Sequence, residues 1–358
     1  MKKFIFRILF LVNLAVAAAL LLSYLAAVIS PASIVFPAYF GLAYPYLLIL
    51  NIIMVAIWAL FLRSEAFISA VVIVIGINHL SNYIKLSETK EDKADTFKVM
   101  SYNVQLFGMF ESENAKSTEN AVIQLLKDEN ADIICLQEVF IRGDVAAKER
   151  SIREALGGKY SSHLKTIGRS GSRSFGIMTL SKFPIVNRGE IVHPESSSLT
   201  IYTDILINQD TIRVYNSHLQ SFRLRKMEKN FIEEIMRDDE TINEVKKIWF
   251  SLKRGFVKRS LQAQTLKEHI NNSKYPVIAA GDFNDTPMSY AYNTIRNGLN
   301  DAFANSGYGT GFTYRGNYPT NRIDYILYDK RLTNSNFEIL KSEHSDHYPI
   351  MAWFKKDD

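Results

Sequence analysis

Between Arg7 and Arg63 no side chain carries a charge, and positions 8 to 62 are filled mainly by Leu, Ile, Val, Ala and aromatic residues. A helix needs about 20 apolar residues to cross a bilayer. The run therefore holds two spans, with Pro31, Pro37, Gly41 and Pro45 supplying the turn region between them. After Arg63 and Glu65, residues 66–84 form another uncharged stretch, made polar at its end by His79, Ser81 and Asn82, and read as a third span. The opening MKKFIFR also suits a secretory signal peptide, but the apolar region from Ile8 to Ile29 exceeds the ~7–15 residues of one, and more spans follow. Lys2, Lys3 and Arg7 belong on the cytoplasmic side, and Arg63 returns there after the second span. A third crossing places everything after Lys85 outside the cytoplasm; without it the placement flips.

Residues 86–96, with the charged run SETKEDKADT, read as a linker. Beyond them the pattern changes to short apolar segments of period two, mixed with segments of helical period. Phe97 to Val104 alternates, with Val99, Ser101 and Asn103 on one face. Ala121, Val122, Leu125 and Leu126 recur at helical spacing before a buried strand, Ile133 to Leu136. Phe175 to Leu180 reads as a strand. Leu199 to Ile207 and Thr211 to His218 read as a hairpin around Asn208-Gln209-Asp210. Val277 to Ala280, Ile323 to Tyr328 and Ile350 to Phe354 complete the set. Strands with intervening helices in one long segment predict a layered α/β architecture over residues 97–358, preceded by a membrane anchor over 1–85.

The segment 221–259 stands apart, with eleven Lys/Arg and seven Asp/Glu. Phe231, Ile235, Ile242, Val245, Trp249 and Leu252 fall on one side of a helix. A surface helix is one reading. A lid or membrane-surface element is the other, suggested by Trp249-Phe250 beside Lys253-Arg254 and Lys258-Arg259.

Charge adds little. Residues 1–84 carry +3 of the net +5, so the basic pI is largely a property of the anchor and is no argument for a nucleic-acid partner. The lone cysteine, Cys135, excludes an internal disulfide framework, and its apolar surroundings read as core.

Chemistry gathers where strands end. Asn103 closes one strand, Glu138 follows another, and His218 ends the hairpin. Asp282 and Asn284 share a face after Ala280, Asp324 enters an apolar strand, and His344-Ser345-Asp346-His347 precedes the last strand. An Asp inside an apolar strand is costly unless partnered; Arg322 is one candidate partner. Carboxylates, amides and imidazoles suit a hard divalent cation and a water to be activated. The absence of a Cys cluster or His-rich set argues against zinc.

The ordered series MSYNVQ, LQEV, SHL, GDFND, RIDYI and SDHYPI resembles the endonuclease/exonuclease/phosphatase superfamily, which includes deoxyribonuclease I and the neutral sphingomyelinases. The resemblance spans residues 97 to about 356. It implies a four-layered α/β sandwich and a Mg²⁺-dependent (or Mn²⁺-dependent) phosphoesterase using activated water. It further implies Glu138 as principal metal ligand with Asn103 and Asp346 assisting, Asp324 orienting a catalytic His347, Asp282 and Asn284 positioning water and phosphate, and His218 meeting the phosphate or leaving group. His344 is a bystander in this scheme. Gln105 stands where apurinic endonucleases carry Asp, which disfavours that branch. The implied partners are a phosphoester substrate, either nucleic acid or phospholipid head group, and the lipid bilayer. Small anchored bacterial members are similar in outline, which implies a multi-pass protein of the inner membrane. The expected activity is endonuclease-like, with a lipid head-group phosphodiesterase and a non-catalytic receptor for a phosphorylated ligand as alternatives.

Overall fold

The computed structural model describes residues 2–87, 95–109, 115–170, 173–193, 198–222, 241–316 and 321–356. Its helices are α1 (Lys2–Leu25), α2 (Phe36–Leu42), α3 (Tyr44–Leu60), α4 (Ala66–Ile75), α5 (Ile77–Leu80), α6 (Ala115–Glu129), α7 (Val145–Ala155), α8 (Thr241–Asn271), α9 (Tyr290–Arg296) and α10 (Ala302–Ser306). Its strands are β1 (Ile84–Lys85), β2 (Phe97–Asn103), β3 (Ile133–Arg142), β4 (Ser161–Ser170), β5 (Arg173–Ser181), β6 (Ile185–Ile191) and β7 (Leu199–Ile207). They continue with β8 (Asp210–His218), β9 (Val277–Asp282), β10 (Leu299–Asp301), β11 (Gly309–Thr310), β12 (Asp324–Asp329), β13 (Leu332–Ile339) and β14 (Ile350–Lys356). Two units separate: residues 1–83, 222–261 and 285–294, and residues 84–221, 262–284 and 295–358.

In the second unit the period-two segments become two six-stranded sheets, ordered β13-β14-β2-β3-β5-β4 and β10-β12-β9-β8-β7-β6. Each sheet holds one parallel pair, β2 with β3 and β8 with β9, among antiparallel neighbours. Alternation sends Phe97, Val99, Ile133 and Cys135 of one sheet against Ile205, Ile212, Val214, Ile278 and Ala280 of the other. Each Val, Ile or Phe among them contributes about 1.5–3 kcal/mol by leaving water. Cys135 is fully buried, and burial pushes its thiol up to about 12, as a core residue should behave. The outward residues Met100, Tyr102, Ile134 and Leu136 pack under Val122 and Leu126 of α6 and Ile152 of α7. On the other sheet's outer face, Tyr215 hydrogen-bonds His269 near the end of α8 at 2.8 Å. Helix, sheet, sheet, helix is the expected four-layered α/β sandwich.

The first unit inverts the usual polarity. Asn13, Ser23, Asn51 and Ser69 are completely buried, while Phe4, Leu11, Ile52, Phe67 and Val74 lie exposed. The buried groups knit helices together. Asn13 Nδ2 donates to the Glu65 carbonyl at 2.9 Å, Ser69 Oγ donates to Asn13 Oδ1 at 2.6 Å, and Asn51 Nδ2 donates to the Val16 carbonyl at 3.1 Å. Aromatic contacts mark two ends. At one, Phe6 meets Trp58 and Phe61, with the Arg63 guanidinium 5.4 Å from its ring centroid. At the other, Tyr44 meets Tyr24 and Tyr83, and Tyr24 stacks on His79.

Among the described residues one helix, Lys3–Leu25, is long and apolar enough to span a bilayer, and α2 with α3 passes only as a pair bent by 71°. The expected third span is not a single helix. The ten-residue α4 stops at Ile75 and the short α5 follows. Gly76 between them lies against Tyr24, whose ring would be 2.1 Å from any added Cβ. Ten helical residues rise only ~15 Å, half of a hydrocarbon core about 30 Å thick.

The segment around 221–259 also departs from expectation. Phe231 and Ile235 and the Ile242 side chain lie outside the described residues. Val245 and Trp249 are exposed, and the inward face of α8 is instead Ser251, Phe256, Arg259 and Ser260. Tyr39 of α2 stacks on Trp249 at 3.8 Å between centroids, and its hydroxyl donates to the Trp249 carbonyl at 3.1 Å. Arg259 lies 4.0 Å over the Phe222 ring and donates to Asp285 Oδ2 at 2.8 Å. A helix made amphipathic by charge has buried its arginine and left a tryptophan outside.

Candidate active site

The two parallel pairs decide where the polar residues meet. Parallel register sets Asn103 beside Gln137 at the carboxyl end of β2, and His218 beside Asp282 at the carboxyl ends of β8 and β9. Antiparallel β12 starts there, its first residue Asp324 opposite Asp282. Antiparallel β14 pairs Ile350 with Ser101, so the segment just before it reaches the same end. Asn103 Nδ2 then bridges the two sheets to Asp282 Oδ2 at 2.9 Å.

Local backbone irregularities aim the side chains. The β3–β5 register slips between Leu136 and Val139, and Glu138 in the slip has φ +54°. A bulge of this kind turns a side chain out of the strand's alternation at a cost of about 1–2 kcal/mol. Gly281 has φ +140°, and a Cβ there would sit 2.0 Å from the Ser217 carbonyl oxygen. Only glycine lets β9 approach β8 closely enough to present Asp282. Asn284, at φ +54°, folds back: its backbone N–H donates to Asp282 Oδ1 at 2.8 Å, and its Nδ2 to Asp282 Oδ2 at 3.1 Å and the Leu219 carbonyl at 3.0 Å.

His347 Nδ1 lies 2.9 Å from Asp324 Oδ2 and 3.1 Å from Oδ1, and both residues are buried. The alternative partner is engaged elsewhere, since Arg322 pairs with Asp301. Asp324 is fixed by its own N–H donating to Thr313 Oγ1 at 3.1 Å. The turn before His347 is tied to β2: Ser345 Oγ donates to the Asn103 carbonyl at 2.7 Å, and Gln105 Oε1 accepts from the Asp346 N–H at 2.8 Å.

With Nδ1 held, His347 Nε2 faces Asp282 Oδ2 at 3.8 Å and Asp346 Oδ1 at 3.9 Å. His218 Nε2 lies 3.6 Å from Glu138 Oε1 and 3.7 Å from Asp282 Oδ2, and is buried without a hydrogen-bond partner among the described residues. These separations exceed hydrogen-bond length. Five side chains thus surround a small gap rather than closing on one another. Burial alone would lower the His347 pKa, but the Asp324 and Asp282 carboxylates more than offset it and raise it to about 10. Burial raises Asp282 to about 6, an effect that His347 partly opposes and Asp324 reinforces.

Asp282, Asp324 and His347 lie close enough for one ligand atom of each to share a metal ion. That triplet differs from the expected set of Glu138, Asn103 and Asp346. In that triplet Asp324 is already bonded to His347 Nδ1, so two of its three members are engaged with each other. The triplet is better suited to moving a proton, while the oxygens of Glu138, Asn103 and Asp346 suit a hard cation. The buried, unbonded His218 Nε2 marks the gap as built for something polar.

A family model described as Endonuclease/Exonuclease/phosphatase family matches residues 100–347. The chain belongs to the endonuclease/exonuclease/phosphatase family. Members of this family are metal-dependent phosphoester hydrolases, and the chain is a hydrolase of that class. Solved structures agree on the fold at low identity. A family protein from Leptotrichia buccalis is 16% identical, covering 72% of this chain and 99% of its own, at TM-score 0.53. The human Nocturnin catalytic domain with bound sulfate is 17% identical, over 76% and 97%, at 0.54. A humanized D. rerio TDP2 is 16% identical, over 74% and 100%, at 0.52. Residues 6–83 match a domain of unknown function, DUF8431. No curated protein matches the chain.

All eight residues singled out from the sequence gather at this one end of the family's sandwich, and His344 is exposed. Sequence reasoning missed the residues that hold them: Thr313, Ser345 and Gln105, and Gln137, whose Nε2 crosses to Asn216 Oδ1 at 2.8 Å. Gln105 was noted only as a departure, yet it fixes the Asp346 backbone. The one available signal was adjacency, since Gln137 and Ser345 neighbour site residues in the chain.

Proposed function

We propose that the chain is a membrane-anchored phosphoesterase that uses Mg²⁺, or Mn²⁺, to hydrolyse phosphodiesters in one step by activated water. The observation that carries this reading is the Asp324–His347 pair, with the ring's second nitrogen turned toward Asp282 and Asp346. In this scheme Asp324 orients His347 and holds its charge. Asp282, with Asn284 folded against it, positions the attacking water. His218 contacts the phosphate or delivers a proton to the leaving oxygen. Glu138, Asn103 and Asp346 would hold the cation, which supplies charge stabilisation for the phosphoryl oxygens.

Nucleic acid is the first substrate class. A phospholipid head group is the second, favoured by the inverted polarity of the first unit, whose outward surface is aliphatic as lipid requires. A receptor that binds a phosphorylated ligand without turnover has little support, because every expected catalytic position carries a competent side chain. The assay is a screen of the full-length protein in detergent, with Mg²⁺, against DNA, RNA, phospholipids and sugar phosphates. Metal-dependent release from one class is expected; tight binding to a phosphorylated ligand without turnover would overturn the reading.

The anchor is proposed to be multi-pass in a bacterial inner membrane. Arg63 beside Phe6 puts the end of α3 at the level of the basic N-terminus, which the positive-inside preference assigns to the cytoplasm. Tyr83, grouped with Tyr24 and Tyr44, lies at the opposite end. The third passage is assigned to α4 together with α5 and the residues up to Tyr83, since α4 alone rises only ~15 Å. Residues after Lys85 are therefore assigned to the extracytoplasmic side.

A further inference from the structure

We infer that the first half of α8, from Val245 to Val257, is a binding surface for the anionic head groups of a phospholipid bilayer. The inference rests on the membrane reading of the first unit and extends it to a segment far from the apolar spans in sequence. Between Glu244 and Glu268 the chain carries no carboxylate. Lys246, Phe250, Lys253, Arg254 and Val257 recur at helical spacing on one side, and Phe250 is 64% exposed with Lys246, Lys253 and Arg254 exposed around it. An exposed aromatic among cations, on a stretch of helix that itself carries no carboxylate, has the chemistry of an interfacial helix: the ring enters the acyl boundary while the cations meet lipid phosphates.

The position of this helix argues for lipid over another anion. Its Trp249 is stacked on Tyr39, and Phe256 meets the same Tyr39 ring edge-on at 5.3 Å. Tyr39 belongs to α2, between the end of α1 and the start of α3, where Tyr24, Tyr44 and Tyr83 also gather. Tyr and Trp collect at the level of lipid head groups. Trp249, 44% exposed, and Phe250 therefore stand at the same end of the apolar helices as this tyrosine cluster, in which Tyr44 and Tyr83 are buried. On the far side of the helix, the Arg259–Asp285 pair and the Ser251 hydroxyl bonded to the Phe222 carbonyl hold it in place.

The test places an environment-sensitive fluorophore on Phe250→Cys, and separately on Leu11→Cys, in the full-length protein in nanodiscs. Native Cys135 is buried and does not compete for label. Discs of phosphatidylcholine alone are compared with discs containing phosphatidylglycerol, each with head-group-level and deep quenchers. The expected result is blue-shifted emission at 250, quenched at head-group level, increasing with phosphatidylglycerol and returned toward water values by Lys253→Glu/Arg254→Glu. Deep quenching at 11 with a water-like, lipid-independent 250 would overturn the inference and leave the anchor standing. Water-like emission at both positions would overturn the anchor reading as well. A shift at 250 on adding duplex DNA, with none from lipid, would assign the surface to nucleic acid and also overturn it.

Discussion

Asp324 and His347 make the most exposed wager at the scale of single residues. If the carboxylate acts only through the imidazole, Asp324→Asn and His347→Ala each cost about 10²–10⁴-fold in turnover, and the double variant is little worse than the poorer single one. Multiplicative losses in steady-state assays of the folded variants would separate the two roles. The same pair predicts a pH signature in the metal-free protein. Its folded His347 pKa, near 10, lies above the ordinary value of 6.5. The stability it contributes is therefore complete below pH ~6.5 and is lost as pH rises toward 10. Thermal melts in EDTA should decline across that window, and the decline should flatten in Asp324→Asn. Both residues were legible in the sequence because an acid in an apolar strand demands a partner. The choice of His347 over the nearer Arg322 came from the family resemblance alone; its physical reason is that Asp301 takes up Arg322.

At the scale of elements, the sequence disclosed the sheets from the inside outward. The predicted strands correspond to β2, β3, β5, β7, β8, β9, β12 and β14, which occupy the interior of the two sheets. Within these two sheets the four that escaped, β4, β6, β10 and β13, are the edges, and the two-residue strands β1 and β11, which pair with each other, escaped as well. Edge strands have one unpaired side and carry polar or short sequences that blunt aggregation, as SSHLKTIGRS and LTNSNFEI do, so their alternation is weak. The site was readable because it is built from ends of interior strands. Its aiming devices, the Glu138 bulge and the Gly281 contact, were not, since both depend on register. Gly281→Ala tests one of them. With its Cβ driven against the Ser217 carbonyl and φ held at +140°, it should lose about 2–4 kcal/mol in denaturant unfolding. It should also lose activity beyond the folded fraction, because Asp282 moves with the strand.

The whole molecule combines a hydrolase sandwich with an apolar unit whose polar side chains are turned inward. That inversion is invisible to hydropathy, which sees Asn13, Asn51 and Ser69 merely as interruptions of apolar runs. The stretch read as a full third span is instead a ten-residue helix followed by the short α5. A reporter active only outside the cytoplasm, fused after Asp358, should be active; a fusion active only as a cytoplasmic reporter would reverse the topology. One titration separates metal-dependent hydrolysis from its alternatives. Phosphodiester hydrolysis by the full-length protein is followed against Mg²⁺ concentration, for the native chain and for Glu138→Gln. The native enzyme should be silent in EDTA and saturate with Mg²⁺. The variant, lacking one anionic ligand worth about 3 kcal/mol of charge stabilisation, should be folded but roughly 10²-fold slower at saturation. Equal rates in the two proteins, or hydrolysis that persists in EDTA, would contradict the account.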